Sequence, residues 1–314
     1  MVRALFGVDA ELRPRSPRVR LTPIRRRCYL RRMSEMSVVF AGGGCRTFWA
    51  LGAYTSLAGL ATTVEVAGVS AGAAMALAAA LGQEEALVAA FCARTAVNPR
   101  NVYPERLFLG RPAFPQEAMY RATLLELLGA ASLQRLAEGP RVRILQACVE
   151  PGWLVVPTVA SAWWAYAARR RRGLLHGPEV PHRGLAAEVD TAQEASSVED
   201  LAERVLRSSA SPPVTPILRA PGRMYFDGCL VDAAPVRALG ASARAGAVLV
   251  LLNRPHPPAA TAGNVRYLAP SAPVPIHKWD YTSPARVRQA FDMGRRDGEA
   301  ARAEVERFLA EHGA

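Results

Sequence analysis

The chain has 314 residues, half of them hydrophobic and 21% charged, enough apolar material to bury a core and too much for general disorder. Its formal net charge of +12 points first to nucleic acid, yet ten arginines against Asp9 and Glu11 put +8 of that charge in residues 1–34. Nothing beyond that tail resembles a nucleic-acid recognition module, and five cysteines with no C-x-x-C pair argue against a disulfide framework or a zinc site.

Residues 1–34 are basic and rich in proline, without the continuous apolar run of a secretory signal. They read as a disordered tail, or as an upstream extension of a chain starting at Met33 or Met36. The bias toward Arg, Ala, Gly and Pro suits a GC-rich, bacterial genome, and Lys278 is the only lysine. With no secretory signal and no paired cysteines, a cytoplasmic or peripheral membrane location is expected. Residues 37–311 contain no repeat and no Gly/Ser linker, so they read as a single domain.

After the tail, "SVVFAGGG" reads as a buried strand over Val38–Ala41 ending in a glycine turn. A helix follows, with Phe48, Leu51 and Leu57 near one face. Val64–Val69 is a second strand, and an Ala-rich helix then runs to about Gly82. This strand–helix–strand–helix opening predicts an α/β fold with a parallel sheet. Helices are expected over about Glu84–Ala96 and Pro115–Leu136, and a strand over Arg141–Glu150. Ser197 and Asp200 suit a capping box for a helix to Ser208. Two strands flank a Pro221-Gly222 turn, and Ala247–Leu252 is apolar throughout, as a central parallel strand should be. A charged, periodic helix closes the chain from Pro284 to Glu311.

Three short motifs carry the chemistry. In "AGGGCR", three glycines let backbone N–H groups approach a ligand. This is a tight turn, a phosphate loop, or an oxyanion hole; the missing G-K-[ST] disfavours a nucleotide loop. In "GVSAG", Ser70 is either a helix N-cap or a nucleophile on a strained strand-to-helix elbow. In "YFDGCLVDAAPV", Asp227 is either half of an ordinary Asp-Gly turn or a base at a strand end, while Asp232 reads as the cap of a helix start.

In this order and within this frame, the three motifs resemble those of the patatin-like phospholipases. That family has a G-G-G-x-[K/R]-G loop, a G-x-S-x-G elbow and a D-G-[G/A] motif. "GGGCRTFWALGAYTSL" aligns with its first loop and helix without a gap, and the resemblance covers most of residues 37–240. Two positions depart from the pattern: Thr47 stands where Gly is usual, and Cys229 where Gly or Ala is usual. The resemblance implies a three-layer fold with a mostly parallel central sheet flanked by helices. It further implies a lipid acyl hydrolase acting on a lipid or other acyl ester, with a Ser70–Asp227 dyad. The oxyanion would lie among Gly42, Gly43, Gly44 and Cys45. No metal and no cofactor is needed. Arg46 either meets a lipid phosphate or anchors the loop through an ion pair.

A rival reading is a Ser-Asp-His esterase of the α/β-hydrolase type, in which His256 or His277 completes a triad. A second rival keeps the fold but only binds lipid. One further segment stands out. "GWLVVPTVASAWWAYAARRRR" is apolar, then aromatic, then basic, and Pro157 and its length make it marginal for a membrane span. Trp153, Trp163, Trp164, Arg169 and Arg170 in such an order suit a membrane interface near the active site. The alternative is a core helix with a solvated basic end.

Overall fold

The computed structural model describes residues 34–129, 131–178, 184–256 and 263–313. The basic tail and Cys28 therefore lie outside the described residues. In chain order the elements are β1 (Glu35–Phe40), α1 (Phe48–Leu57), β2 (Thr62–Val69), α2 (Ala71–Leu81), α3 (Glu84–Val97), α4 (Gln116–Leu127) and α5 (Ser132–Glu138). Next come β3 (Arg141–Val149), α6 (Val155–Arg171), β4 (Ala186–Thr191), α7 (Val198–Ser208), β5 (Leu218–Ala220) and β6 (Arg223–Phe226). The chain ends with α8 (Ala241–Ala245), β7 (Ala247–Leu251), β8 (Val265–Leu268) and α9 (Pro284–His312).

The strands form one sheet whose pairings link β5-β6-β3-β2-β1-β7-β8 in turn, with β4 on the other edge of β3. The neighbours from β3 through β8 are parallel, whereas β4, β5 and β6 pair antiparallel. Both faces of the sheet are covered, which is why its central strands are apolar throughout. Along β1, Met36, Val38 and Phe40 join one core with α1, α2, α3 and α9, and Val39 joins the second with α6. β7 alternates in the same way, Leu249 on the first side and Val248 and Val250 on the second. The result is the three-layer, mostly parallel α/β architecture that the family resemblance implies.

The helical stretch expected over 115–136 is two helices. The chain leaves α4 at Leu128 and re-enters at Ser132, with the poor helix former Gly129 between. β4 and β8 carry no strand signal in the sequence because "AAEVDT" exposes its small apolar residues and half-buries its acids, without an apolar face, and "VRYL" is only half-buried. Asp232 starts no helix: its Oδ1 instead accepts the Ala234 N–H at 3.1 Å in a local turn just before Pro235. The Ser197 cap accepts the Asp200 N–H at 3.1 Å, but Asp200 reaches back to the Ser196 N–H rather than to its own cap.

Candidate active site

The register of β3 brings Ser70 and Asp227 together. β4 occupies one edge of β3 from Arg143 to Cys148. The other edge is shared end to end: β2 pairs along it up to Val69 opposite Leu145, and β6 comes from the opposite direction down to Phe226 opposite Ala147. The two strands point at each other across Gln146, so the residues that follow them meet. Ser70 Oγ donates to Asp227 Oδ2 at 2.8 Å, although 157 residues separate the two in sequence.

The elbow is over-determined by its neighbours. Ser70 has φ 55° and ψ −134°, the one positive φ outside glycine among the described residues. Such a conformation costs about 1–3 kcal/mol and persists only where the surroundings enforce it. Here a Cβ on Gly68 would strike the Gly72 carbonyl oxygen, and one on Gly72 would strike the carbonyls of Phe40 and Ala41. The strand and helix can approach only because both positions are glycine. The Ser70 N–H is held by Ser208 Oγ at 2.8 Å, which itself donates to the Leu145 carbonyl at 2.6 Å.

Asp227 is buried, and burial raises its carboxyl pKa above the ordinary value of 3.8. The Cys229 N–H at 2.9 Å, Ser70 Oγ, and Ser211 Oγ at 3.1 Å oppose that shift by donating to the carboxylate. The sequence gives neither Ser208, the end of α7, nor Ser211 a recognisable site role, although both sit in the "SSAS" run between α7 and β5.

The glycine loop divides into committed and available donors. The Gly42 N–H is bonded to the Ala233 carbonyl at 3.0 Å and the Cys45 N–H to the Lys278 carbonyl at 3.1 Å. Those two residues therefore have no free N–H for an oxyanion, a correction to the four-residue expectation. Among the described residues Gly43 and Gly44 have no such backbone partner, and Ala71, first in α2, has no intrahelical acceptor for its N–H. Thr47, at the position where Gly was expected, is buried and donates its hydroxyl to the Gly44 carbonyl at 2.8 Å, so it braces the loop from behind. Cys229 is also buried, with its sulfur against Gly42.

Ser70, Ala71, Ser211, Asp227, Cys229 and the glycine loop line one cleft. Its two ends differ. Phe48, Met75, Leu87, Phe91 and Tyr281 line one end and belong to the core under α1–α3. Arg46, Arg170, Arg254 and Lys278 line the cleft together with Trp163 and Tyr166, which pack against the other core.

The five residues expected at a membrane interface do not share a face. Trp153 and Trp164 are 87% and 75% exposed. Trp163, Arg169 and Arg170 instead line the cleft, and Arg169 donates to the Leu230 carbonyl at 2.9 Å. Trp163 and Trp164 are adjacent on a helix, and about 100° of rotation sends one inward and the other out. Among the described residues no helix is long and apolar enough to cross a membrane.

The histidines of the rival triad are elsewhere. His256 Nε2 lies 2.8 Å from the Gly173 carbonyl, His277 Nδ1 accepts the Trp279 N–H at 3.3 Å, and neither lines the cleft. The described cysteines Cys45, Cys92, Cys148 and Cys229 are free thiols, and among the described residues no group of metal-ligating side chains gathers.

The family model described as Patatin-like phospholipase matches residues 38–239. Among solved structures, human GIVD cytosolic phospholipase A2 is similar at 11% identity with a TM-score of 0.49, covering 90% of this chain. VipD from Legionella pneumophila is similar at 12% identity with a TM-score of 0.41, covering 90% of this chain and 67% of its own. This chain spans 60% of the length of the human structure. No curated protein matches the sequence.

Proposed function

The chain belongs to the patatin-like phospholipase family, and on that premise we propose that it is a lipid acyl hydrolase working through a Ser70–Asp227 dyad. The observation that most supports this reading is the 2.8 Å hydrogen bond from Ser70 Oγ to Asp227 Oδ2 on a strained elbow. Ser70 Oγ attacks the acyl carbonyl carbon and its proton passes to Asp227 Oδ2. The carbonyl oxygen becomes an oxyanion, received by the free N–H groups of Gly43, Gly44 and Ala71. The N-terminus of α2 adds a favourable dipole there. The intermediate collapses, and the alcohol leaves with the proton from Asp227. Water, deprotonated by the same carboxylate, then releases the fatty acid and restores Ser70.

A carboxylate at its ordinary pKa is a weak base near neutral pH, so the raised pKa of Asp227 favours the proton transfer. The apolar end of the cleft suits an acyl chain, and Arg46 suits a lipid phosphate. We read residues 37–311 as the catalytic domain. Trp153 and Trp164 are the side chains fitted to touch a membrane surface peripherally.

The test is reaction with a fluorophosphonate probe followed by mass spectrometry of the labelled peptide. The adduct is expected on Ser70 and absent from Ser70→Ala. A folded wild-type protein that takes no label, beside a control hydrolase that does, overturns the reading.

A further inference from the structure

Four cations converge on the cleft from four separate parts of the chain. Arg46 follows the glycine loop, Arg170 comes from the last turn of α6, Arg254 follows β7, and Lys278 lies in the loop before α9. All four are half-buried. Among the described residues none has a carboxylate within ion-pair distance, although most other half-buried arginines do, Arg121, Arg143 and Arg204 among them. Tyr166 lies in their midst, 5.7 Å from the Arg170 guanidinium carbon.

Like charges gathered under partial burial are costly unless something neutralises them. The cost registers on each. After desolvation, Arg170 is the main influence lowering the pKa of Arg46, of Arg254 and of Lys278, and Arg46 lowers Lys278 in turn. Asp227 is the one carboxylate acting in the opposite sense, and only on Lys278. Two polar atoms in the same wall are also unsatisfied: Arg46 Nε and Trp163 Nε1 are buried donors without an acceptor. A fold that gives four cations no carboxylate partner among the described residues and leaves two buried donors idle in one cleft is arranged for an anion that arrives with the ligand.

We propose that Arg46, Arg170, Arg254 and Lys278 form a subsite for a phosphomonoester dianion, so that the preferred acyl ester is a lipid with a doubly charged phosphate headgroup. The inference rests on the acyl hydrolase reading for the identity of the reaction, but the subsite itself is a binding claim that stands apart from catalysis. A zwitterionic headgroup brings one phosphate charge together with its own cation, and that cation would be repelled by this cluster. A neutral glyceride brings no charge at all. A terminal phosphate offers three acceptor oxygens and two charges, which the Arg forks and the Trp163 N–H can share. The acyl chain then runs from Ser70 into the apolar end lined by Phe48, Met75 and Phe91.

Binding is measured on Ser70→Ala protein, which cannot turn substrate over, with lysophosphatidate, lysophosphatidylcholine and monoacylglycerol of one chain length below their micellar concentrations. Lysophosphatidate is expected to bind at least about tenfold more tightly than either competitor, an advantage that Arg170→Gln and Arg254→Gln each reduce severalfold. Glycerol phosphate and inorganic phosphate form the control arm. Either one binding as tightly as lysophosphatidate overturns the lipid assignment in favour of a free phosphate site. Equal binding of the three lipids overturns the subsite. A second measurement gives wild-type protein the same lipids and records kcat/KM. Selective binding without hydrolysis of any of them leaves the subsite intact and removes the dyad reading. Hydrolysis without headgroup preference does the reverse.

Discussion

The β2–α2 junction and helix α6 bound the same cleft, but they are held in place by different means. Nine of the eleven residues of α2 are buried, whereas in α6 only Val155 and Ala162 of seventeen are. At the junction the backbone itself is locked, with carbonyls packed onto Gly68 and Gly72 and the Ser70 N–H bonded to Ser208. α6 is tied down through side chains, such as Arg169 to the Leu230 carbonyl and the Trp163–Tyr166 pair on the second core. The contrast separates two tasks. A nucleophile needs a fixed atom, and rigid backbone supplies it even at the cost of strain. A wall that receives a headgroup and faces outward on its other side needs side-chain variety, and a lightly buried helix supplies that.

The largest expected effect lies at the fixed end. Asp227→Asn keeps the shape of the carboxylate but removes the base, and ester hydrolysis should fall by about 10³-fold or more. In the wild type, activity should decline as pH falls through a midpoint above 3.8, because burial raises that carboxyl. Stability runs the other way. With the folded pKa above the unfolded one, the folded protein keeps a proton that the unfolded chain has already lost. Folding stability therefore drops as pH rises through the window just above 3.8. Asp227→Asn should remove that slope. A pH–rate profile and urea titrations at several pH values check both parts, and an Asn variant of full activity would break the assignment of Asp227 as base.

Next in size is the backbone lock. Gly72→Ala gains up to about 1 kcal/mol of helix propensity, but its Cβ would strike the carbonyls of Phe40 and Ala41. Overpacking of this kind costs about 1–3 kcal/mol, so the collision should win. Thermal unfolding should show a lower Tm for Gly72→Ala, and a raised Tm would mean that the junction is looser than its contacts imply.

Which parts of this arrangement were legible in sequence follows the same division. Gly68, Ser70, Gly72 and Asp227 could be picked out because a strained elbow and an Asp-Gly turn demand particular residue types at fixed spacing. The layers and the central strands were legible because β1 and β7 are apolar on both faces. The glycine loop was only half legible: Gly42 and Cys45 spend their N–H groups on Ala233 and Lys278, partners from distant segments that no local pattern reveals. Ser208 and Ser211 matter because α7, in the same layer as α2, ends against Leu145 of β3 and the chain then passes Asp227, long-range contacts that their residue types alone do not signal. In α6 apolar, aromatic and basic residues are spread around the helix, and nothing local told Trp163 from Trp164 or showed that Arg170 turns toward the cleft.

The smallest effect belongs to the outer face of that helix. Trp153 and Trp164 are exposed and make no contact with the cleft, so replacing both with Ser should change stability by less than about 0.5 kcal/mol each and leave fluorophosphonate labelling of Ser70 as it is. Indole rings settle at the headgroup level of a bilayer, and the loss of two should weaken binding to vesicles of anionic phospholipid by about fivefold to tenfold. Cosedimentation with such vesicles, at low and at high salt, reads this directly. The arginines of the cleft add a part that salt screens, whereas the indoles add a part that it does not. A double variant that loses only the salt-resistant part would show that the two faces of α6 act on a membrane separately: the outer one holds the surface and the inner one reads the headgroup. Equal binding by the double variant and the wild type would leave Trp153 and Trp164 without a role at the membrane, and would put the whole of any lipid contact inside the cleft.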